Sequence, residues 1–148
     1  MGILDSFKTL VSKKGEAPAQ VNIVPSTKKV LIVDDDVMLR QLYSELLTNE
    51  GFTTVTAENG LVGLQLIQSE NPDLVLLDLM MPVMDGKTVL QKLKDMQGYE
   101  NLPVIILTNA GDIDSMHETR FYKNALEFLI KSNVTPEDIV AKVRAHLP

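Results

Sequence analysis

Asp73-Leu74-Val75-Leu76-Leu77-Asp78-Leu79-Met80-Met81-Pro82-Val83-Met84-Asp85-Gly86 is the stretch on which the fold turns. Leu74 to Leu77 make a short continuous apolar run, the kind that builds a strand buried on both faces of a parallel sheet. The run stops on a carboxylate, Asp78. Met81-Pro82 keeps a helix from starting at once, because the residue before proline is pushed out of the α region. Asp85-Gly86 then opens a helix, with Asp85 as its N-cap. Asp78 thus lies where a buried strand meets a surface loop, on the edge where open α/β sheets bind ligands. Taken alone it also has an ordinary reading, since Asp is common at turns.

The same strand–loop–helix unit repeats on both sides of this stretch. Lys29 to Val33 is a β-branched run closed by Asp34-Asp35-Asp36. A helix over 37–50 follows, with Leu39, Leu42, Tyr43, Leu46 and Leu47 inward, and Gly51 ends it. Residues 52–56 read as a strand near the sheet edge, and 59–70 as a helix with Leu61, Val62, Leu64 and Ile67 inward. After the opening stretch, the helix over 86–96 turns Val89, Leu90 and Leu93 inward. Residues 103–107 form another buried strand, ending on Thr108. A polar helix over 112–123 leads to a strand over 126–130, ending on Lys131. Thr135-Pro136-Glu137-Asp138 combines an N-cap, proline at the first helical position and acids in the first turn. The helix it opens buries Ile139, Val140, Val143 and Leu147. Strict alternation with right-handed crossovers gives an α/β fold: a doubly wound, five-stranded parallel sheet, flavodoxin-like (βα)5, in strand order 2-1-3-4-5.

Composition narrows the function. The 148 residues carry a net charge of −6 and contain no cysteine. One domain of this size builds a substantial core. An acidic balance argues against a direct nucleic-acid surface, and the missing thiols exclude disulfides and thiolate metal sites. No apolar run approaches the ~18 residues of a membrane span, and no signal peptide is evident, so the expected location is cytoplasmic. Residues 1–28 differ from the rest and form an amphipathic leader and linker ahead of a domain over 29–148. In the leader, Ile3, Leu4, Phe7, Leu10 and Val11 recur at helical spacing opposite Lys8, Lys13 and Lys14. Membrane or partner contact through residues 1–14 is one use of that face, and Met1-Gly2-Ile3-Leu4-Asp5-Ser6 fits the loose myristoylation pattern.

The strand ends carry the chemistry. The first ends on Asp34-Asp35, the third on Asp78, the fourth on Thr108 and the fifth on Lys131, and the topology lines these ends along one rim. Each has an ordinary reading: a helix N-terminus for the acids, backbone hydrogen bonding for Thr108, solvation for Lys131. Together they pose a charge problem, because two unit charges about 4 Å apart repel by roughly 4 kcal/mol at an effective dielectric near 20. Lys131 offsets one charge, and a hard divalent cation would offset the rest, with all-oxygen ligands favouring Mg²⁺. A carboxylate here suits a nucleophile attacking phosphorus, with Lys131 and Thr108 holding phosphoryl oxygens.

Val33-Asp34-Asp35, Leu77 to Gly86, Pro103 to Thr108 and Phe128-Leu129-Ile130-Lys131 resemble, in order and spacing, the receiver domain of two-component response regulators. The resemblance spans about residues 29 to 147 and points to the stand-alone, chemotaxis-regulator-like type, since the chain stops at Pro148 after the last helix. It implies that Asp78 is the phosphoacceptor of a phosphorelay, fed by a sensor histidine kinase or a histidine phosphotransfer protein. It implies Mg²⁺, with Mn²⁺ as a substitute, held by Asp35 directly, Asp34 through water, Asp78 and the Met80 backbone carbonyl. Lys131 would pair with the phosphoryl group, and Thr108 and Phe128 would switch position. The surface of the fourth helix, fifth strand and fifth helix would then change its affinity for a downstream protein target. The chain would be a signalling phosphoacceptor, assisting only its own phosphorylation and dephosphorylation. Three positions depart from the usual pattern: Ser132 replaces a cis-linked Pro, Asn109 replaces Ala or Ser beside the phosphoryl site, and Tyr122-Lys123-Asn124-Ala125 replaces Gly-Ala.

Rival readings stay open on sequence. A flavin-binding flavodoxin-like protein would want a Ser/Thr/Gly-rich phosphate loop after the first strand, where this chain has acids. A Mg²⁺-dependent phosphohydrolase would turn over free substrates. A receiver-fold binding module acting without phosphorylation would not need Asp78, Asp35 and Lys131 intact. Asp112, Asp114, His117 and Glu118 look like a metal cluster on paper, yet an acidic first helical turn explains them.

Overall fold

The computed structural model describes residues 28–148. Of the leader and linker assigned to residues 1–28, all but Lys28 lies outside the described residues, and with it the membrane, partner and myristoylation readings. The elements are β1 (Lys29–Val33), α1 (Val37–Asn49), β2 (Thr53–Ala57), α2 (Gly60–Glu70), β3 (Leu74–Asp78), α3 (Gly86–Asp95), β4 (Val104–Thr108), α4 (Ile113–Thr119), β5 (Ala125–Ile130) and α5 (Pro136–His146). The strands form one parallel sheet in the order β2-β1-β3-β4-β5, the expected doubly wound topology.

β3 and β4 are buried at every residue, because helices cover both faces of the central strands. Each Leu, Ile or Val there contributes roughly 1.5–3 kcal/mol by leaving water. On one face Val30, Ile32, Leu76, Ile105 and Leu107 pack with Tyr43 and Leu47 of α1 and Ile139 and Val143 of α5. On the other, Leu31, Val33, Leu77 and Ile106 pack with Leu64 and Ile67 of α2 and Val89, Leu90 and Leu93 of α3. No described helix is long and apolar enough to cross a membrane.

Side-chain caps anchor the helix starts. Asp36 accepts from the Met38 and Leu39 amides, Asn59 from Val62 and Asp85 from Thr88. Thr135 and Asp138 form a full capping box. At the far end of α1, Gly51 has φ 97, the left-handed conformation expected of a residue that terminates a helix.

Four expectations need correction. Leu61 is 42% and Leu42 37% exposed, whereas Gly60 and Gly63 of α2 are buried. A Cβ on Gly63 would lie 3.1 Å from the Val33 methyls. The helix therefore presses Gly63 on β1 and Gly60 on the Met84 carbonyl and Val89, which rotates Leu61 outward. The polar helix expected over 112–123 is a 3-10 turn at Ala110–Asp112 followed by α4, which ends at Thr119. There the Thr119 hydroxyl donates back to the Met116 carbonyl and the Tyr122 amide donates to the Thr119 carbonyl, closing the chain into a turn. β2 starts one residue later than expected, at Thr53, leaving Phe52 as a buried residue ahead of it.

The loop after β3 is tightly built. Gly86 donates its amide to the Leu79 carbonyl at 2.9 Å, and a Cβ there would lie 2.3 Å from the Asp78 carbonyl oxygen. Only glycine lets the start of α3 approach the end of β3 so closely. Met84 donates to the Pro82 carbonyl at 2.7 Å across Val83, whose φ is 70. That three-residue turn is strained for a β-branched side chain. Beyond β5, the Lys131–Ser132 bond is trans and begins a 3-10 turn over Lys131–Asn133.

Candidate functional site

The parallel topology carries the ends of β1, β3, β4 and β5 to one rim, and Asp34, Asp35, Asp78 and Lys131 meet there. Carboxylate oxygens of Asp34, Asp35 and Asp78 all lie within 4.8 Å of one another. Asp34 and Asp78 are each 2% exposed, while Asp35 faces solvent. Lys131 Nζ lies 2.7 Å from Asp34 Oδ2 and 3.3 Å from Asp78 Oδ2. One ammonium thus bridges the two buried carboxylates, and the third acid brings a further negative charge.

Hydrogen bonds hold the carboxylates in place. Asp34 Oδ1 accepts from the Asp36 amide at 2.9 Å, and Asp78 Oδ1 from the Met80 amide at 3.3 Å. Burial pushes the Asp78 carboxyl up to about 6, opposed by Lys131 and reinforced by the charge of Asp34. Burial would lower the Lys131 ammonium, but its hydrogen bond to Asp34 and the charges of Asp78 and Asp34 outweigh it and leave it raised. Asp78 therefore ionises against a net penalty, which a second cation would remove. Three oxygen donors with surplus negative charge fit a hard divalent ion such as Mg²⁺, and no second acidic or histidine group of this kind occurs among the described residues. Asp112, Asp114, His117 and Glu118 do not gather into one.

The other expected residues surround this cluster. Leu107 pairs in register with Asp78, so Thr108 ends β4 beside the site. Thr108 is fully buried and its Oγ1 has no hydrogen-bond partner, an unusual state for a buried hydroxyl. Asn109 is exposed next to it and opens the 3-10 turn. Met80 is half-exposed in the loop, contributing its amide to Asp78. Phe128 lies two residues before the end of β5, half-buried against the core layer of α2 and α3.

Two residues next to the site were not read as part of it. Tyr43 of α1 is buried, and burial raises its phenol; in sequence it was one more inward residue of a helix. Arg40 donates from Nη1 to the Asp34 carbonyl at 2.6 Å. The available signal was its position one turn into α1, because helical side chains lean toward the N-terminus.

An open five-stranded parallel sheet with an acid cluster and a lysine on its carboxyl rim defines a class of flavodoxin-like signalling domain. A family model described as the response regulator receiver domain matches residues 30–144, and the chain belongs to that family, the receiver domains of two-component systems. It is 43% identical over 93 residues to sporulation initiation phosphotransferase F of Bacillus subtilis strain 168, covering 63% of this chain and 73% of that one. It is 48% identical over 87 residues to the transcriptional regulatory protein CpxR homolog of Haemophilus influenzae, covering 58% and 37%. The chain spans less than half the length of that protein and of several other curated relatives. In structure it aligns with the chemotaxis response regulator CheY4 of Vibrio cholerae at a TM-score of 0.73 and 27% identity, over 82% of this chain and 99% of that one. The Francisella response regulator 1452 receiver domain aligns at 0.71 and 29% identity, over 81% and 96%.

Proposed function

We propose that this chain is the phosphoacceptor of a two-component phosphorelay, with Asp78 as the nucleophile. The observation that carries the reading is the buried Asp78 carboxylate, held by Lys131 and the Met80 amide and flanked by two further acids. A carboxylate so fixed attacks the phosphorus of a phosphohistidine on a sensor kinase or phosphotransfer protein. A carboxyl O–P bond forms, the P–N bond breaks, and the imidazole leaves to take a proton. Above about pH 6 Asp78 is mostly ionised and able to attack.

Asp34, Asp35, Asp78 and the Met80 carbonyl would hold the Mg²⁺, which when bound supplies positive charge to the phosphoryl oxygens in flight. Lys131 supplies a second positive charge from the β5 side. Its ammonium exchanges a carboxylate contact for a phosphoryl oxygen, which costs little because it stays paired. The unpartnered Thr108 hydroxyl then gains its missing partner by turning to the phosphoryl group. Movement of Thr108 vacates space that Phe128 occupies from the next strand, and the surface of α4, β5 and α5 shifts toward a conformer that a downstream protein binds better.

The test is incubation with a small acyl phosphate and Mg²⁺ followed by intact mass. One phosphoryl group is expected on the wild type and none on Asp78→Asn. A wild type left unlabelled under conditions that label other receiver domains removes the reading.

A further inference from the structure

The geometry points to Arg40 as a positioning residue that aims the Asp35 carboxylate at the metal position; this rests on the Mg²⁺ site of the reading above. The inference starts from a difference between the three acids. Asp34 and Asp78 have side-chain partners that fix their carboxylates. The Asp35 side chain is exposed and has no hydrogen bond or ion pair among the described residues. Its direction is therefore inherited from its own backbone, and above all from the Asp34–Asp35 peptide that precedes it.

The peptide before it is fixed to the sheet, since the Asp34 amide donates to the Ala57 carbonyl of β2 at 3.1 Å. The Asp34 carbonyl, which belongs to the peptide itself, accepts from Arg40 Nη1 at 2.6 Å. A short bond from a guanidinium is of the stronger, charge-assisted kind. Arg40 also donates its main-chain amide to the Asp36 carbonyl at 3.0 Å, so it closes the acidic turn at two points. Without the side-chain bond the peptide plane is free to rotate, and rotation swings the Asp35 carboxylate away from the oxygens of Asp34 and Asp78. The guanidinium also brings one positive charge to the main chain of a turn of three consecutive acids.

Arg40 borders an open cleft between α1 and the edge strand β2, with Gln41, Ser44 and Thr56 on its walls. Water can therefore replace a lost guanidinium at the Asp34 carbonyl. The stability cost of removal is then small, and the effect on metal binding separates from it.

The experiment titrates Mg²⁺ into the full chain by calorimetry, with melting temperature recorded in chelator, for wild type, Arg40→Gln and Arg40→Lys. Arg40→Gln is expected to weaken Mg²⁺ binding about tenfold, within the range found when groups that orient metal ligands are removed. Its metal-free melting temperature should stay within a few degrees of wild type. Arg40→Lys keeps a cationic donor and should recover part of the affinity. Adding Arg40→Gln to Asp35→Asn should weaken binding no further, because the ligand it aims is already lost. Wild-type Mg²⁺ binding with unchanged affinity in Arg40→Gln overturns this inference alone. Equal losses in Arg40→Gln with and without Asp35→Asn also overturn it, since they would mean a general effect of charge. A wild type that binds no Mg²⁺ removes both this inference and the reading beneath it.

Discussion

Replacing Asp78 by Asn should make the metal-free protein more stable near neutral pH. Burial, opposed by Lys131 and reinforced by Asp34, holds this carboxyl at about 6 instead of 3.8. Across that interval the folded chain keeps a proton that the unfolded chain has already released. Stability from the neutral carboxyl is thus fully present below 3.8 and is lost as pH rises through about 6. At roughly 1.4 kcal/mol per pH unit, the ionised carboxyl costs the fold about 3 kcal/mol, on the order of 10 °C in a domain of this size. The side chain is 2% exposed, so solvent screening takes little from that figure. Asn carries no charge and does not incur the cost. Urea unfolding followed by circular dichroism in chelator, from pH 4 to 8, measures it. The difference between Asp78→Asn and wild type should be small at pH 4 and should grow to about 3 kcal/mol by pH 7. Carboxylates remote from Asp78 cancel in that difference. Excess Mg²⁺ should close it, since a ligand at 100 times its Kd stabilises by about 2.7 kcal/mol. A difference that is flat across pH, or a variant less stable than wild type at pH 7, would refute the reasoning.

Gly86→Ala forces a Cβ to 2.3 Å from the Asp78 carbonyl oxygen and should destabilise by about 3 kcal/mol through overpacking, with slowed phosphoryl uptake. Gly111→Ala, with nothing within 4 Å, is the control that should stay near wild type; equal denaturation midpoints for the two would dismiss the close approach. Thr108→Val removes a buried hydroxyl without a partner and should stabilise the unphosphorylated chain by about 1 kcal/mol, while weakening the phosphorylation-dependent gain in partner affinity. A less stable variant would mean that the hydroxyl has a partner after all. Val83→Gly relieves a positive φ of 70 and should gain about 0.5–1 kcal/mol net of glycine's extra chain entropy. Urea midpoints at or below wild type would show the turn to be unstrained.

The five strands were legible because each is a short β-branched or leucine-rich run, and four of them, β1, β3, β4 and β5, run into the polar residues that the proposed chemistry uses. Asp34, Asp35, Asp78 and Lys131 follow directly from the topology, since parallel strands bring like ends together. The helix faces were less legible. Counting leucines placed Leu61 inward, but contact with Val33 selects Gly63, a preference invisible to hydrophobic periodicity. The fourth helix was read too long because its polar run gave no apolar stripe to mark an end, and the turn after Thr119 depends on hydrogen bonds to that residue. Arg40 and Tyr43 were hidden for another reason: their places beside the cluster depend on how α1 leans over β1, and only the packed fold reveals that.

The most direct measurement traps the phosphoryl adduct. After incubation with an acyl phosphate and Mg²⁺, borohydride reduces an aspartyl phosphate to homoserine, and peptide mapping locates it. Homoserine at position 78, absent when Mg²⁺ is chelated, is the expected result. Homoserine at position 34 or 35, or an adduct on any other residue with position 78 intact, would contradict the assignment of Asp78 as the phosphoacceptor.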